Sequence, residues 1–154
     1  MKVMFIVNVE GAVHRGGKWL IGKRSSQESH AGGMLALIGG KAEKEGHSTD
    51  VLERTVKREI LEETGVLIKD GMEYVCSSSF ITDDGYHVID IVFLCEYQSG
   101  EASPVCPDEN EEVMWMSIRE ILEQPDAPEW LTRSITAAED LLRKKEMSKR
   151  GRRI

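Results

Sequence analysis

The sequence predicts an α/β layered domain built on a mixed sheet, and three observations carry that prediction. Apolar, β-branched stretches flank the glycine turn Gly16-Gly17, as in a hairpin. An amphipathic helix with Leu52, Val56 and Ile60 at i, i+4, i+8 runs up to Gly65. The run His87–Cys95 is apolar enough to be a central strand. With 154 residues, 40% hydrophobic and 31% charged, the chain has the size and make-up of one ordinary globular domain and is not disordered.

Taken in order, Met4–Val13 and Trp19–Ile21 form the hairpin around His14–Lys18, with Lys23 and Arg24 ending its second strand. Ser25–Gly33 is polar and small, a loop. Met34–Ile38 reads as a short buried strand that runs into Gly39-Gly40, where the backbone must turn sharply or approach something closely. Lys41–His47 is a charged loop. A helix starts near Ser48-Thr49-Asp50, where Asp50 and Glu53 have capping-box spacing. It ends at Thr64, and Gly65 supplies the left-handed position after it. Extended segments follow at Glu73–Ile81 and Tyr86–Tyr97. After a loop from Ser99 to Asn110 come a strand at Glu112–Met116 and a short helix entered at Ser117. Beyond the linker Pro125–Pro128, an amphipathic helix spans Trp130–Met147. Residues 1–147 are thus expected to form the domain and 148–154 a basic tail.

Cys76, Cys95 and Cys106 form an odd set without C-x-x-C spacing, which fits free thiols in a reducing compartment. The apolar start is too short for a signal peptide, and no stretch is long enough to span a membrane, so a cytoplasmic location is expected. The formal net charge of −7 is concentrated outside the Lys/Arg-rich end. An acidic body argues against nucleic acid as a partner.

The stretch Arg58-Glu59-Ile60-Leu61-Glu62-Glu63-Thr64-Gly65-Val66 poses a physical problem. On a helix Glu59 and Glu63 lie about 40° apart and Glu62 about 60° to the other side, so three like charges face one way. They continue the apolar stripe of Leu52 and Val56 and sit at the negative end of the helix dipole. Partly buried carboxylates in that position raise each other's pKa or require a cation. Oxygen-only ligation suits Mg²⁺ or Mn²⁺. A solvated, Glu-rich face with local Lys and Arg pairs is the simpler alternative.

With Gly39-Gly40-Lys41 ahead of it, this helix completes a strand–loop–helix–loop unit that resembles the Nudix hydrolase family. The family signature is G-x5-E-x7-R-E-U-x-E-E-x-G-U, with U a bulky apolar residue. Arg58, Glu59, Ile60, Glu62, Glu63, Gly65 and Val66 match its second half residue by residue, and Gly39-Gly40-Lys41-Ala42-Glu43 looks like its start. Two departures stand out. Asp50 occupies the position of the first glutamate, and the loop from Gly40 to Asp50 is four residues longer than the pattern. Ile38 stands where many members have proline.

The resemblance implies an α/β/α sandwich and hydrolysis of a phosphoanhydride bond in a nucleoside diphosphate linked to another moiety. It implies Mg²⁺ (or Mn²⁺) on Glu59, Glu62 and Glu63, with Arg58 orienting the glutamates. By the same resemblance Arg24, Gly39 and Gly40 would contact the phosphates. Candidates for a general base are Glu62, Asp50 and the cluster Asp108-Glu109-Asn110-Glu111-Glu112. For an aromatic stacked on a base, Phe5, Trp19, Tyr86 and Trp115 are candidates. Family motifs for ADP-ribose, dinucleoside polyphosphates and NADH are absent, which leaves a nucleoside triphosphate or oxidised nucleotide as the expected substrate. The resemblance also implies a homodimer. The alternative is a non-catalytic nucleotide-binding or regulatory module on the same fold.

Overall fold

The computed structural model describes residues 2–28 and 31–152. Positions 29 and 30 of the expected Ser25–Gly33 loop and residues 153 and 154 of the basic end lie outside the described residues. The elements are β1 (Ile6–Arg15), β2 (Lys18–Arg24), β3 (Leu35–Ala36), β4 (Ile38–Lys41), α1 (Val51–Thr64), β5 (Leu67–Ile68), β6 (Glu73–Ile81), β7 (His87–Ser99), β8 (Asn110–Met116), α2 (Ile118–Glu123) and α3 (Glu129–Gly151). The strands form one mixed sheet. β7 lies inside it, parallel to β1 from Ile6↔Val88 to His14↔Glu96 and antiparallel to β6. The other edge of β1 is shared: β2 takes its end through His14↔Trp19, and β4 takes its start through Asn8↔Lys41 and Glu10↔Gly39.

Side chains alternate across the sheet, so each face has its own core. Val9 and Val13 of β1 point towards α1, where they join Val56, Ile60 and Phe93. Ala12 points the other way and packs with Trp19, Leu94, Leu131 and Ile135 beneath α2 and α3. This is the three-layer sandwich expected. Fully burying a side chain such as Ile60 or Ile135 stabilises by about 1.5–3 kcal/mol. Asn8 and Glu10, in phase with Ala12, therefore face α3, whereas the glutamates of α1 lie on the opposite face.

The termini of the helices agree only in part with their sequence pattern. Gly65 is left-handed (φ 77°) and its N–H donates to the Leu61 carbonyl, as anticipated for that glycine. Ser117 and Glu120 form a reciprocal capping box at α2. The expected box at Asp50 does not form. Asp50 itself is left-handed (φ 55°), and its side chain makes no cap hydrogen bond. A capping side chain needs an extended backbone at that residue. Here Arg54 instead reaches back to the Thr49 carbonyl at 2.6 Å and fixes the turn from the helix side. Gly39 and Gly40 belong to β4 rather than to a turn, so close approach is their purpose. α3 continues beyond Met147 to Gly151. The three cysteines are free thiols. Among the described residues no helix is long and apolar enough to cross a membrane.

Candidate active site

The site is built where α1 runs out. Val56 and Ile60 seat the helix on the sheet, and Glu63 follows them along the same stripe, so it is buried at 6% exposure. The last carbonyls of a helix lack internal partners. Here the following loop supplies them: Ser103 N–H donates to Thr64 O, Val105 N–H to Glu63 O, and the Cys106 thiol to Glu62 O at 3.6 Å. Capping in this way draws the start of β8 against the helix end. Asn110 becomes buried, and its amide nitrogen donates to Glu63 Oε1 at 3.0 Å. Glu109 arrives beside the same carboxyl.

Glu63 is consequently short of partners. Its Oε2 is buried, and no protein N–H or O–H donor reaches it. Burial pushes the Glu63 carboxyl up to about 9, helped by the Glu109 carboxyl and the Glu59 charge and opposed by the Asn110 bond. Glu59 lies one turn earlier. Its pKa is also raised, first by burial and then by Glu62, while Arg58 works in the other direction. Gly40 lies directly over the Glu59 side chain, and a Cβ there would fall onto its carboxyl group. Any other residue at position 40 would displace Glu59 or the strand.

Arg58 lies between two of the acids, 3.4 Å from Glu59 Oε1 and 3.9 Å from Glu62 Oε1. Glu62 is the exposed member, with 58% of its side chain accessible. Thus the structure brings together Glu59, Glu62, Glu63, Arg58 and Gly40. Gly39 adjoins them through β4, with its α-carbon opposite that of Glu10. Arg24, at the end of β2, is on the far side of this strand. It is 3.6 Å from Glu28 and lines a cavity of about 350 Å³ with Asn8, Glu10 and Asp90.

Asp50 is not brought to this group. It stands at the opposite end of α1, exposed, in a depression lined by Glu53, Lys57 and Asp70. Nine residues of helix rise about 13 Å, which separates Asp50 from Glu59. Of the aromatic candidates, Trp19 is core. Trp115 stacks edge-on with Tyr97 near Arg15. Phe5 meets His87, and Tyr86 lines a second cavity. The aromatics that line the Arg24 cavity are instead Phe80 and Trp130.

Among the described residues no three His, Cys, Asp or Glu side chains converge on a single point as they stand. The donor chemistry nevertheless fits a hard divalent cation. Glu63 Oε2 is orphaned, Glu109 and Glu59 press on it with like charge, and all available atoms are oxygen. A cation would supply what neither Asn110 nor Arg58 gives.

The NUDIX domain family model matches residues 4–137, most of the chain and all of the site. The chain belongs to the NUDIX family. It brings the enzyme class its motif implied, a Nudix pyrophosphohydrolase. Among solved structures, the MutT NUDIX hydrolase from Burkholderia pseudomallei is 29% identical, with TM-score 0.71 over 89% of this chain and 98% of that one. The MutT protein from Methanosarcina mazei Go1 is 25% identical, with TM-score 0.72 over 94% and 98%. The NUDIX domain of Shewanella oneidensis NrtR, determined with ADP ribose, shares the fold at 20% identity, TM-score 0.70, over 92% and 90%. No curated protein matches in sequence.

Two features of this NUDIX site escaped the sequence pattern. Asn110 was hidden within an acidic run, and Glu109 was one carboxylate among several there. Glu10 and Asp90 did leave a trace, as acids set in the apolar stretches of β1 and β7.

Proposed function

We propose that the chain is a Mg²⁺- or Mn²⁺-dependent hydrolase that cleaves a phosphoanhydride bond in a nucleoside diphosphate derivative, with a nucleoside triphosphate or oxidised nucleotide as the expected substrate class. The observation that supports this reading best is the buried, donor-less Oε2 of Glu63 beside Glu59 in the matched box. Glu59, Glu62 and Glu63 would hold the cation, and Glu109 extends the set from the β8 side. Such an ion, when bound, offsets the charge that develops on phosphate oxygens.

The chain's own residues do the rest. Arg58 positions Glu59 and Glu62 through charge-assisted contacts. Gly39 and Gly40 present a strand without side chains, so phosphates can lie close to the backbone. Arg24 supplies positive charge from the neighbouring strand. A proton must leave the attacking water, and Glu62 and Glu109 are the acceptors within the set. Asp50 is left out of this set because α1 holds it at the wrong end of the helix.

The test is a panel of nucleoside triphosphates and nucleoside diphosphate derivatives with Mg²⁺, scored by phosphate or pyrophosphate release. Wild type should turn over at least one, and Glu59→Gln should not, while both give the same circular dichroism spectrum. Equal turnover in Glu59→Gln, or nucleotide binding with no turnover across the panel, would sink the hydrolase reading; the second result would favour a binding module.

A further inference from the structure

Asn110 holds a place in the site for which the matched motif has no counterpart. It lies outside residues 58–66 and carries no charge. Yet it is buried at 5% exposure and donates its amide N–H to Glu63 Oε1 at 3.0 Å. Its backbone is held from two directions. The N–H groups of Glu109 and Asn110 both donate to the Cys106 carbonyl, and the Ser25 N–H donates to the Glu109 carbonyl. Gly22 of β2 leaves open the space that the amide fills. An added Cβ there would come within 2.7 Å of Asn110 Oδ1 and of Ile38 Cδ1. The amide is thus fixed at its backbone and packed at its tip.

The consequence is an asymmetry between the two oxygens of one carboxyl. Oε1 is taken by Asn110, whereas no protein donor reaches the buried Oε2. An N–H group and a cation are both positive, and they compete for the lone pairs of the same oxygen. Glu63 therefore has Oε2 to offer a cation, and sharing Oε1 as well would set the ion against the Asn110 amide. Glu59 is confined in another way, because Gly40 covers its carboxyl and leaves no room for a Cβ between them. The inner wall of the site is accordingly rigid and sparing with its oxygens. Mg²⁺ is small and keeps much of its own water, so one or two carboxylates suffice for it. Ca²⁺ takes about six to eight oxygens from more flexible sites, in which a carboxylate can bind through both of its oxygens.

Building on the cation reading above, we propose that Asn110 is a positioning residue that selects Mg²⁺ or Mn²⁺ over Ca²⁺ by withholding one oxygen of Glu63. Removing its donor returns Oε1 to the site, and the larger ion, which uses more oxygens, gains the most.

The test is calorimetric titration of the full, metal-free chain with MgCl₂, MnCl₂ and CaCl₂ in separate runs. No nucleotide is present, so affinity rather than turnover is read. Wild type is expected to bind Mg²⁺ and Mn²⁺ at least as tightly as Ca²⁺. Asn110→Asp keeps the shape of the side chain and removes the donor, and Asn110→Ala removes the side chain. Each should raise the Ca²⁺ affinity relative to that for Mg²⁺ by at least about fivefold. Gly22→Ala crowds the amide and should move the ratio the same way by a smaller factor. The ratio is the readout, because the added charge of Asn110→Asp strengthens both ions, and a merely structural role would weaken both together. For a variant too unstable to titrate, the rise in Tm with each chloride gives the same comparison. Tighter Ca²⁺ than Mg²⁺ binding by wild type, or an unchanged ratio in Asn110→Asp, would overturn this inference and leave the hydrolase reading standing. Binding of none of the three ions would overturn the cation reading and this inference together. A shifted ratio in a chain that turns over no nucleotide would refute the hydrolase reading and keep the role of Asn110.

Discussion

Two close carboxyl pairs, each with one buried member, sit on opposite faces of one sheet, and the donors around the buried acids differ. Beside Glu10, Asp90 accepts the amide N–H of Asn8 at 2.7 Å. Glu63 and Glu109 have Asn110 on one oxygen, and the other, Oε2, is buried without a donor. Both pairs carry the cost of desolvation. The first has an amide donor supplied by its own sheet. The second leaves a buried carboxylate oxygen without one. Burial alone does not distinguish them; the count of donors around each oxygen does.

The sharpest way to break this comparison is to remove the incomplete charge. Glu63→Gln should lower turnover by at least about 10²-fold with the fold intact. Glu109→Gln should cost less, about 10- to 100-fold, and should shift the Mg²⁺ titration to higher concentration. Activity equal to wild type in Glu109→Gln would leave the β8 side out of the site.

Stability should respond with the opposite sign. The folded-state pKa of Glu63 is raised from 4.5 to about 9. Below the ordinary carboxyl range both folded and unfolded chains carry the proton. Above it the unfolded chain has released a proton that the folded chain still holds, so stability falls as pH rises up to about 9. In EDTA, the Tm of wild type should drop between pH 5 and pH 9 by about 10 °C more than that of Glu63→Gln. Parallel melting curves for the two proteins would mean that Glu63 titrates normally. Asn110→Ala should destabilise by about 1–3 kcal/mol in urea unfolding, because it leaves Glu63 Oε1 without its donor as well.

How much of this was legible in the sequence depends on distance along the chain. The helix stripe, the Gly65 stop, the hairpin at Gly16-Gly17 and the helix start at Ser117 are local patterns, and all appear as read. So does the grouping of Arg58, Glu59, Glu62 and Glu63, since a helix imposes it. The role of Asn110 was not legible. It depends on the loop at 103–106 capping the α1 carbonyls, a contact between segments that no local spacing encodes. The acid pair of the other face depends on a parallel register between β1 and β7. An acid within the apolar stretch of each strand hinted at it, but only the pairing puts the two side by side. Asp50 was misread as a capping box because spacing ignores backbone conformation, and at φ 55° its side chain cannot cap.

The smallest effect is expected in the stretch where this chain departs from the family pattern. The four extra loop residues are inexpensive in chain entropy. They are also held: Arg54 donates to Glu45 at 2.6 and 3.1 Å and to the Thr49 carbonyl, and Ser48 donates to Glu45. Glu45 is pulled below the usual carboxylate range by the Arg54 bond, then by Ser48. The whole clasp is exposed, so water and salt screen it, and it contributes little to global stability. It grips the first turn of α1 through Arg54, about one and a half turns before Glu59. Glu45→Ala should therefore release the loop without disturbing the carboxylates. The expected result is a change in kcat below about twofold, together with faster trypsin cleavage at Lys44, because a loosened loop presents its backbone to the protease. A loss of turnover as large as that in Glu109→Gln would show instead that the longer loop reaches the site, and would place Glu45 among its positioning residues.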